Sequence, residues 1–324
     1  MEESQEEVSK PNLPFQNLFL LSGLVNGMNK FWMYAGTLFF LIIGYVAFQF
    51  IGFTPLIARL ISRGYTRTEI ESNPNLLFDS SVLGLDKNLI LALELGMFVF
   101  AFFGFFLGLK FLHQKTLSSV LTGFEKFRMP RFVFAFGLWS VLLLIFLAIN
   151  YAVSPAEFTW NPDYRGLLIS FVVLCLMMPV QTGLEEVVFR GYLLQGLALL
   201  FKNGIFPLIL TSLVFGLAHM SNPEVQRFGW QIMFPYYVCF AFFMGAITLL
   251  DEGLELAFGI HFANNLVSSL LISTPNSVIK TYSFFEVKSE NPQFEMLSWS
   301  VMALLSFMVF SKMYSWKNYR LLIK

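Results

Sequence analysis

The chain of 324 residues is 56% hydrophobic and only 13% charged, with 40 phenylalanines and a mean hydropathy of +0.65, whereas soluble domains carry about 25% charged residues. That composition excludes an ordinary soluble domain and defines an integral membrane protein. With 21 basic and 21 acidic side chains, the net charge is zero, which leaves no electrostatic footprint for nucleic acid.

A membrane-crossing helix needs ~20 mostly apolar residues. Hydropathy places eight such helices in chain order: Phe31 to Phe53, Leu89 to Leu112, Phe132 to Val153, Leu167 running on toward Leu200, Ile205 to His219, Trp230 to Leu250, Leu254 to Ile272, and Met296 to Phe310. The expected fold is therefore all-α, a polytopic membrane protein with about eight transmembrane helices. The fourth segment is too long for one straight crossing. Pro179 and Gly183 lie inside it, and an internal proline bends or breaks a helix, so Glu185 to Leu200 is expected to form a separate piece. Hydrophilic loops are expected at SRGYTRTEIESNPN and STPNSVIKTYSFFEVKSENPQ. Gly104 and Gly108 stand at GxxxG spacing, read as packing within the fold rather than as a dimer seam; the oligomeric state is open. No internal repeat is visible. Cys175 and Cys239 fall in apolar spans and read as small hydrophobes.

The N-terminal MEESQEEVSK is acidic and followed by PNLP, without the basic start and short apolar run of a signal peptide, so the first helix is expected to be retained. Counting Lys and Arg on alternate sides gives thirteen on the side of Lys10, Lys30, Arg128, Arg131, Arg190 and Lys317, and eight on the other. The positive-inside rule then places both termini in the cytoplasm of a multi-pass cell-membrane protein.

Within this apolar chain, GLEEVVFRGYLLQG stands out. A charged side chain at the bilayer centre costs about 2.5–3.5 kcal/mol on insertion scales, so three charges together must be paired or used. Glu186 and Arg190 are four apart with the acid on the N-terminal side, the favourable helical ion-pair spacing. Glu185, rotated about 100° around the helix, points away from that pair and is left free. Of the three histidines, His219 and His261 lie in apolar spans; His113, at a basic span end, reads as an interfacial or helix-terminal residue. His261 and Asn265 share a helix face, whereas Asn264 points elsewhere and reads as a packing or hydrogen-bonding residue. A free carboxylate, two imidazoles and an amide are an inventory suited to activating water and stabilising an oxyanion. The same four side chains, Glu185, His219, His261 and Asn265, could instead ligate a metal such as Zn²⁺. The chain alone does not choose between these.

These residues carry a resemblance. Glu185 to Arg190 matches EExxxR, with Gly191 completing EExxFRG; Phe215 to His219 matches FxxxH; and His261 to Asn265 matches HxxxN. In this order, across roughly Pro179 to Leu270, they resemble the CPBP (Abi) family of intramembrane proteases, which includes type II CAAX prenyl endopeptidases and bacteriocin-processing and immunity proteins. The resemblance implies Glu185 as the base that activates water, His219 as its helper, Glu186 with Arg190 as the pair holding the motif helix, and His261 with Asn265 as oxyanion stabilisers. Both metal-dependent and metal-independent chemistry are described for such proteins, so Zn²⁺ stays open. The implied organisation is a cytoplasmic tail over 1–30, membrane helices with a long outer loop over 31–160, a catalytic core over 161–275, and a last loop, helix and basic tail over 276–324.

The implied substrate is a membrane-associated or lipidated protein or peptide, met within the lipid bilayer. Asp251, Glu252 and Glu255, just before His261, form an acidic cluster that bears on substrate choice. HExxH, GxSG and GxGD are all absent, which excludes the corresponding zinc, rhomboid and aspartyl intramembrane proteases. Two other classes stand beside the protease: a non-catalytic immunity or scaffold protein of the same fold, and a proton-coupled transporter using its intramembrane acids. Straight helices also set a depth problem, with Glu185 near the inner edge of the membrane and His219 nearer the outer one.

Overall fold

The structure is a computed structural model that describes residues 16–161, 163–274, 277, 279–289, 291–316 and 319–322. Residues 1–15, and Lys10, Lys317 and Lys324 of the charge count, lie outside them. The chain is 78% helical. Its main helices are α1 (Leu18–Val25), α2 (Phe31–Ser62), α3 (Lys87–Phe111), α4 (Met129–Val153), α5 (Tyr164–Phe201), α6 (Ile205–Ala218), α7 (Trp230–Asp251), α8 (Glu255–Leu271) and α9 (Pro292–Met313). Among the described residues six of these, α2, α3, α4, α5, α7 and α9, are long and apolar enough to cross a membrane. The protein is thus a helical multi-pass membrane protein. The other two expected spans are shorter: α6 has 14 residues and α8 has 17, or about 21 and 26 Å of helix at 1.5 Å per residue.

Two helices run further than hydropathy implied. α2 continues past Phe53 to Ser62, because a π turn over Gln49–Phe53 comes just before Pro55, where wider winding suits a residue that cannot donate to the preceding turn. α5 does not break at Pro179: it is α-helical through Tyr164–Glu186 with the proline inside it, turns π over Val187–Leu193, and runs on to Phe201. The expected separate segment from Glu185 onward is therefore part of one helix. The lost backbone bond at Pro179 is tolerated where neighbouring helices pack against the bend, and Thr182 Oγ1 donates to Met178 O at 2.9 Å one residue below it.

Small residues let α2 and α3 meet closely. A side chain at Gly104 would collide with the Phe40 carbonyl, and one at Gly44 with the Phe100 carbonyl. Gly104 and Gly108 thus serve packing within the fold, as expected. A small sheet joins two loops at one end of the bundle: β1 (Phe158–Trp160), β2 (Ile272–Ser273) and β3 (Phe285–Val287), in the order β1-β3-β2. β3 runs antiparallel to β1 and parallel to β2.

Helix α1 falls in the segment read as a tail, yet Phe19 and Leu20 are fully buried. Asn17 caps it, accepting from Leu20 N at 3.0 Å, and ties it to α7 by donating to Leu249 O at 2.7 Å. His113 stands just past the end of α3, the helix-terminal place expected for it, but it is wholly buried rather than interfacial. Its Nδ1 faces Met28 O at 2.7 Å and so carries the proton, while Nε2 accepts from the Tyr192 hydroxyl at 2.7 Å. Beside it Lys115 donates to Gly23 O and Asn29 Oδ1, both at 2.7 Å. Burial pushes the Lys115 ammonium down to about 8 and holds His113 below the usual imidazole range.

The acidic cluster before His261 also has a structural explanation. Arg128 Nη2 reaches Asp251 Oδ2 at 2.9 Å and Glu255 Oε2 at 2.7 Å, Arg131 pairs with Asp251, and Trp316 Nε1 donates to Asp251 at 3.0 Å. Glu252 accepts from Leu18 N at 2.6 Å. These acids clamp α4, α7 and α8 together and lock α1. Their charge is answered inside the protein instead of being presented to a substrate.

Candidate active site

The π turn in α5 begins directly after the two carboxylates, at Val187, and single π turns inside α-helices are frequent at functional sites. Glu186 is fully buried. Its Oε1 accepts from Arg190 Nη1 at 3.0 Å and from His261 Nδ1 at 2.7 Å. Arg190 lies with its guanidinium carbon 4.2 Å from the centre of the Phe215 ring on α6, a cation–π contact in a desolvated setting. The pair expected within the motif helix is therefore present, and it also grips α8 and α6.

Glu185 and Glu186 do diverge, but they face the same imidazole from two sides. Glu185 Oε2 lies 3.6 Å from His261 Nε2, while Nδ1 of that ring is bound to Glu186. At 3.6 Å no direct hydrogen bond forms, and one water placed beside the pair can touch both groups. Glu185 is not free, as the helical wheel implied. Gln181, one turn earlier, donates from Nε2 to Glu185 Oε1 at 2.5 Å and accepts from Asn265 Nδ2 at 3.2 Å. Gln181 thus bridges the carboxylate and the amide, a role the sequence reading missed. A signal was present: Gln181 is a polar residue in an apolar span, four positions before Glu185, the same spacing that exposed the Glu186–Arg190 pair.

Asn264 behaves as expected, accepting from Trp139 Nε1 at 3.2 Å; it also steadies Asn265 by donating to its Oδ1 at 3.3 Å. The Phe240 ring stands edge-on to His261 at 5.2 Å. His219 ends α6. Its Nδ1 donates to Phe215 O at 2.8 Å, which leaves Nε2 available, and its ring stacks on Phe215 at 4.2 Å with Tyr237 on another side at 4.8 Å. Five of the six expected residues, Glu185, Glu186, Arg190, His261 and Asn265, form one connected polar cluster with Gln181. His219 joins it through the Phe215 ring that Arg190 also covers.

The depth problem dissolves in the connectivity. α5 ends at Phe201, and α6 returns from a turn whose Lys202 is left-handed at φ +54°. Glu185 stands 16 residues before Phe201 and His219 stands 15 residues after Gly204, about 24 and 22 Å of helix from the same turn. Two antiparallel arms of equal length bring them level.

In this arrangement Glu185, His219 and His261 do not converge on a point from which to hold Zn²⁺. Among the described residues no group of three or more His, Cys, Asp or Glu side chains is placed to share a metal ion. No step is therefore routed through a metal.

Fold and site together define a polytopic helical membrane protein with a Glu/Gln/His/Asn cluster, buried at Gln181, Glu186 and His261 and half-buried at Glu185 and Asn265, at the crossing of two helices. Residues 164–267 match the family described as Rce1-like, "Type II CAAX prenyl endopeptidase Rce1-like". The matched stretch contains every candidate site residue and agrees with the resemblance that the motifs carry. The chain is also 29% identical over 275 residues to "Uncharacterized protein YyaK" of Bacillus subtilis (strain 168), covering 84% of this chain and 88% of that protein. No solved structure matches it significantly.

Proposed function

We propose that this protein is an intramembrane endopeptidase that hydrolyses a peptide bond of a membrane-associated or lipidated substrate with water activated by Glu185. The observation that supports this best is the 3.6 Å separation of Glu185 Oε2 and His261 Nε2, which lets one water placed beside the pair touch both the carboxylate and the imidazole. Glu185 takes a proton from that water as its oxygen attacks the scissile carbonyl. The same proton then passes to the departing nitrogen as the C–N bond breaks. Gln181 restricts Glu185 to one rotamer and ties it to Asn265, whose amide supplies a donor for the tetrahedral oxyanion. Because His261 Nδ1 donates to Glu186, its Nε2 donates to an oxyanion only when the ring carries both protons; otherwise it accepts from water. His219, with Nε2 unengaged, is the second imidazole of the reaction. Glu186 and Arg190 hold His261 in place.

Purified protein in liposomes, given prenylated CAAX peptides and unprenylated membrane-spanning peptides, tests the activity and its substrate class together. Cleavage by wild type and none by Glu185→Gln at equal abundance is expected. Equal processing by Glu185→Gln and wild type in the native host would end the reading and favour a scaffold or immunity role.

We also propose that both termini face the cytoplasm of a cell membrane. Of the thirteen cations counted on that side, Lys115 and Arg190 are buried and Arg128 and Arg131 are salt-bridged, so the excess that orients the chain is narrower than the count. Reporter fusions at each terminus decide it: signal from both fusions outside the cytoplasm inverts the topology.

A further inference from the structure

One intramembrane acid plays no part in the chemistry above. Glu94 lies in α3, whose apolar stretch has mean hydropathy 2.3. Among the described residues it has no hydrogen bond or closed ion pair, and the opposite charge acting on it is Lys280. Elsewhere this protein closes its buried ion pairs at 2.7–3.0 Å. Glu94 and Lys280 stay apart.

The place is specific. Tyr45 of α2 packs against the apolar cluster that holds Leu184, Val187 and Val188, on either side of Glu185 in α5. Its ring meets Phe98, one turn along α3 from Glu94, edge-to-face at 6.3 Å. Glu94 therefore belongs to the wall that faces Glu185 from the first half of the chain. Lys280 is brought there by the loop between β2 and β3. Ile279 packs against the apolar cluster formed by Leu91 and Leu95, which bracket Glu94 on α3, with Leu174, Met178 and Leu266. Thr281 donates to Ser269 O at 2.5 Å, and Tyr282 N donates to Ser170 Oγ at 3.2 Å. The loop thus lies across α3, α5 and α8.

A carboxylate held in an apolar span needs a cation or donors. Its own chain supplies a tethered ammonium that closes no ion pair with it, and α3 packs directly against the helix that carries the proposed base. We infer that Glu94 is a specificity residue that binds a positively charged side chain of the substrate, and that Lys280 stands in for that cation in the empty site. The substrate class is then an apolar membrane peptide with a lysine or arginine near the scissile bond. This rests on the protease reading for cleavage, but not for binding.

The test separates the two. Three synthetic apolar peptides of ~20 residues, long enough to span a bilayer, differ only in a central Lys, Leu or Glu. Binding is measured on Glu185→Gln protein and cleavage on wild type. The Lys peptide is expected to bind and be cleaved about tenfold better than the Leu peptide, and the Glu peptide worst. Glu94→Gln should bring the Lys-to-Leu ratio close to one while leaving Leu-peptide cleavage within about threefold, and Glu94→Asp should restore part of the ratio. Lys280→Ala, in a loop, should tighten Lys-peptide binding and leave the Leu peptide unchanged. Lys preference in binding without cleavage of any peptide would sink the protease and keep the recognition site. A Lys-to-Leu ratio that is near one in wild type, or equal in wild type and Glu94→Gln, overturns the inference. If Glu94→Gln does not fold, Lys280→Ala alone decides: no selective gain for the Lys peptide overturns it.

Discussion

Two clusters in this molecule are built from the same parts, arginine and paired carboxylates, and differ in how completely they are satisfied. In the clamp, Arg128, Arg131 and Trp316 surround Asp251 and Glu255, and Glu255 also accepts from Arg128 N and Nε, both at 3.0 Å. No side-chain oxygen of Asp251 or Glu255 is buried without a partner. In the site, Arg190 pairs with Glu186 alone while Glu185 has only the Gln181 amide, and both Glu186 Oε2 and Arg190 Nη2 are buried without a partner. Unmet polar atoms in a low-dielectric interior are costly. A saturated network is what a structural joint needs. An unsaturated one keeps hydrogen-bonding capacity in reserve for water and substrate, and the chain tolerates that cost where the chemistry is proposed to occur.

The contrast is most exposed to single substitutions. Glu185→Gln should lower cleavage by about 10²–10⁴-fold, the usual worth of a general base, with an unchanged thermal unfolding midpoint; a fall in the midpoint that matches the lost activity would make the site structural. Arg128→Ala should do the reverse. It leaves two buried carboxylates under-compensated, and breaking such pairs costs about 3–5 kcal/mol, so folded protein in detergent should drop steeply while the surviving fraction keeps its specific activity. Arg190→Ala should show both effects, since Glu186 loses its counter-charge and His261 its anchor. If Arg190→Ala is as abundant as wild type yet inactive, Arg190 belongs to the reacting set instead of the scaffold.

A smaller effect is expected at Gln181, where loss of the amide frees Glu185 and Asn265 to drift. Gln181→Leu should reduce kcat by up to about 10²-fold, as expected for misplaced catalytic groups, with little change in KM; parity with wild type would remove the bridge from the mechanism.

The mildest prediction concerns the buried pocket around Lys115 and His113, outside both clusters. For Lys115 the folded value is about 8 against 10.5 unfolded. Across that window the unfolded chain holds the proton and the folded chain does not, so stability should rise with pH. His113 shifts in the same direction below 6.5, so stability should fall as pH drops beneath that value. Unfolding midpoints of wild type and Lys115→Met between pH 8 and 10.5 check the first window: the rise should vanish in the variant.

Much of this was legible in the chain because membranes make composition decisive. Apolar runs declare helices, since a backbone in lipid must satisfy itself, and EExxFRG, FxxxH and HxxxN lie at helical spacings that place side chains on shared faces without knowledge of the fold. Local rules failed where a distant partner overrode them. Pro179 was expected to break its helix and the first span to end at Phe53, but packing and a π turn carried α5 and α2 through. Glu185 was read as free because its partner, Gln181, acquires meaning only together with Asn265 on α8. The acids before His261 were read as bearing on substrate choice, and α4 brings Arg128 and Arg131 against Asp251 and Glu255. Sequence periodicity specifies which face of a helix a residue occupies. Only the packing of helices decides what that face meets, and in a low-dielectric interior that meeting determines whether a charge is a joint, a base or a recognition point.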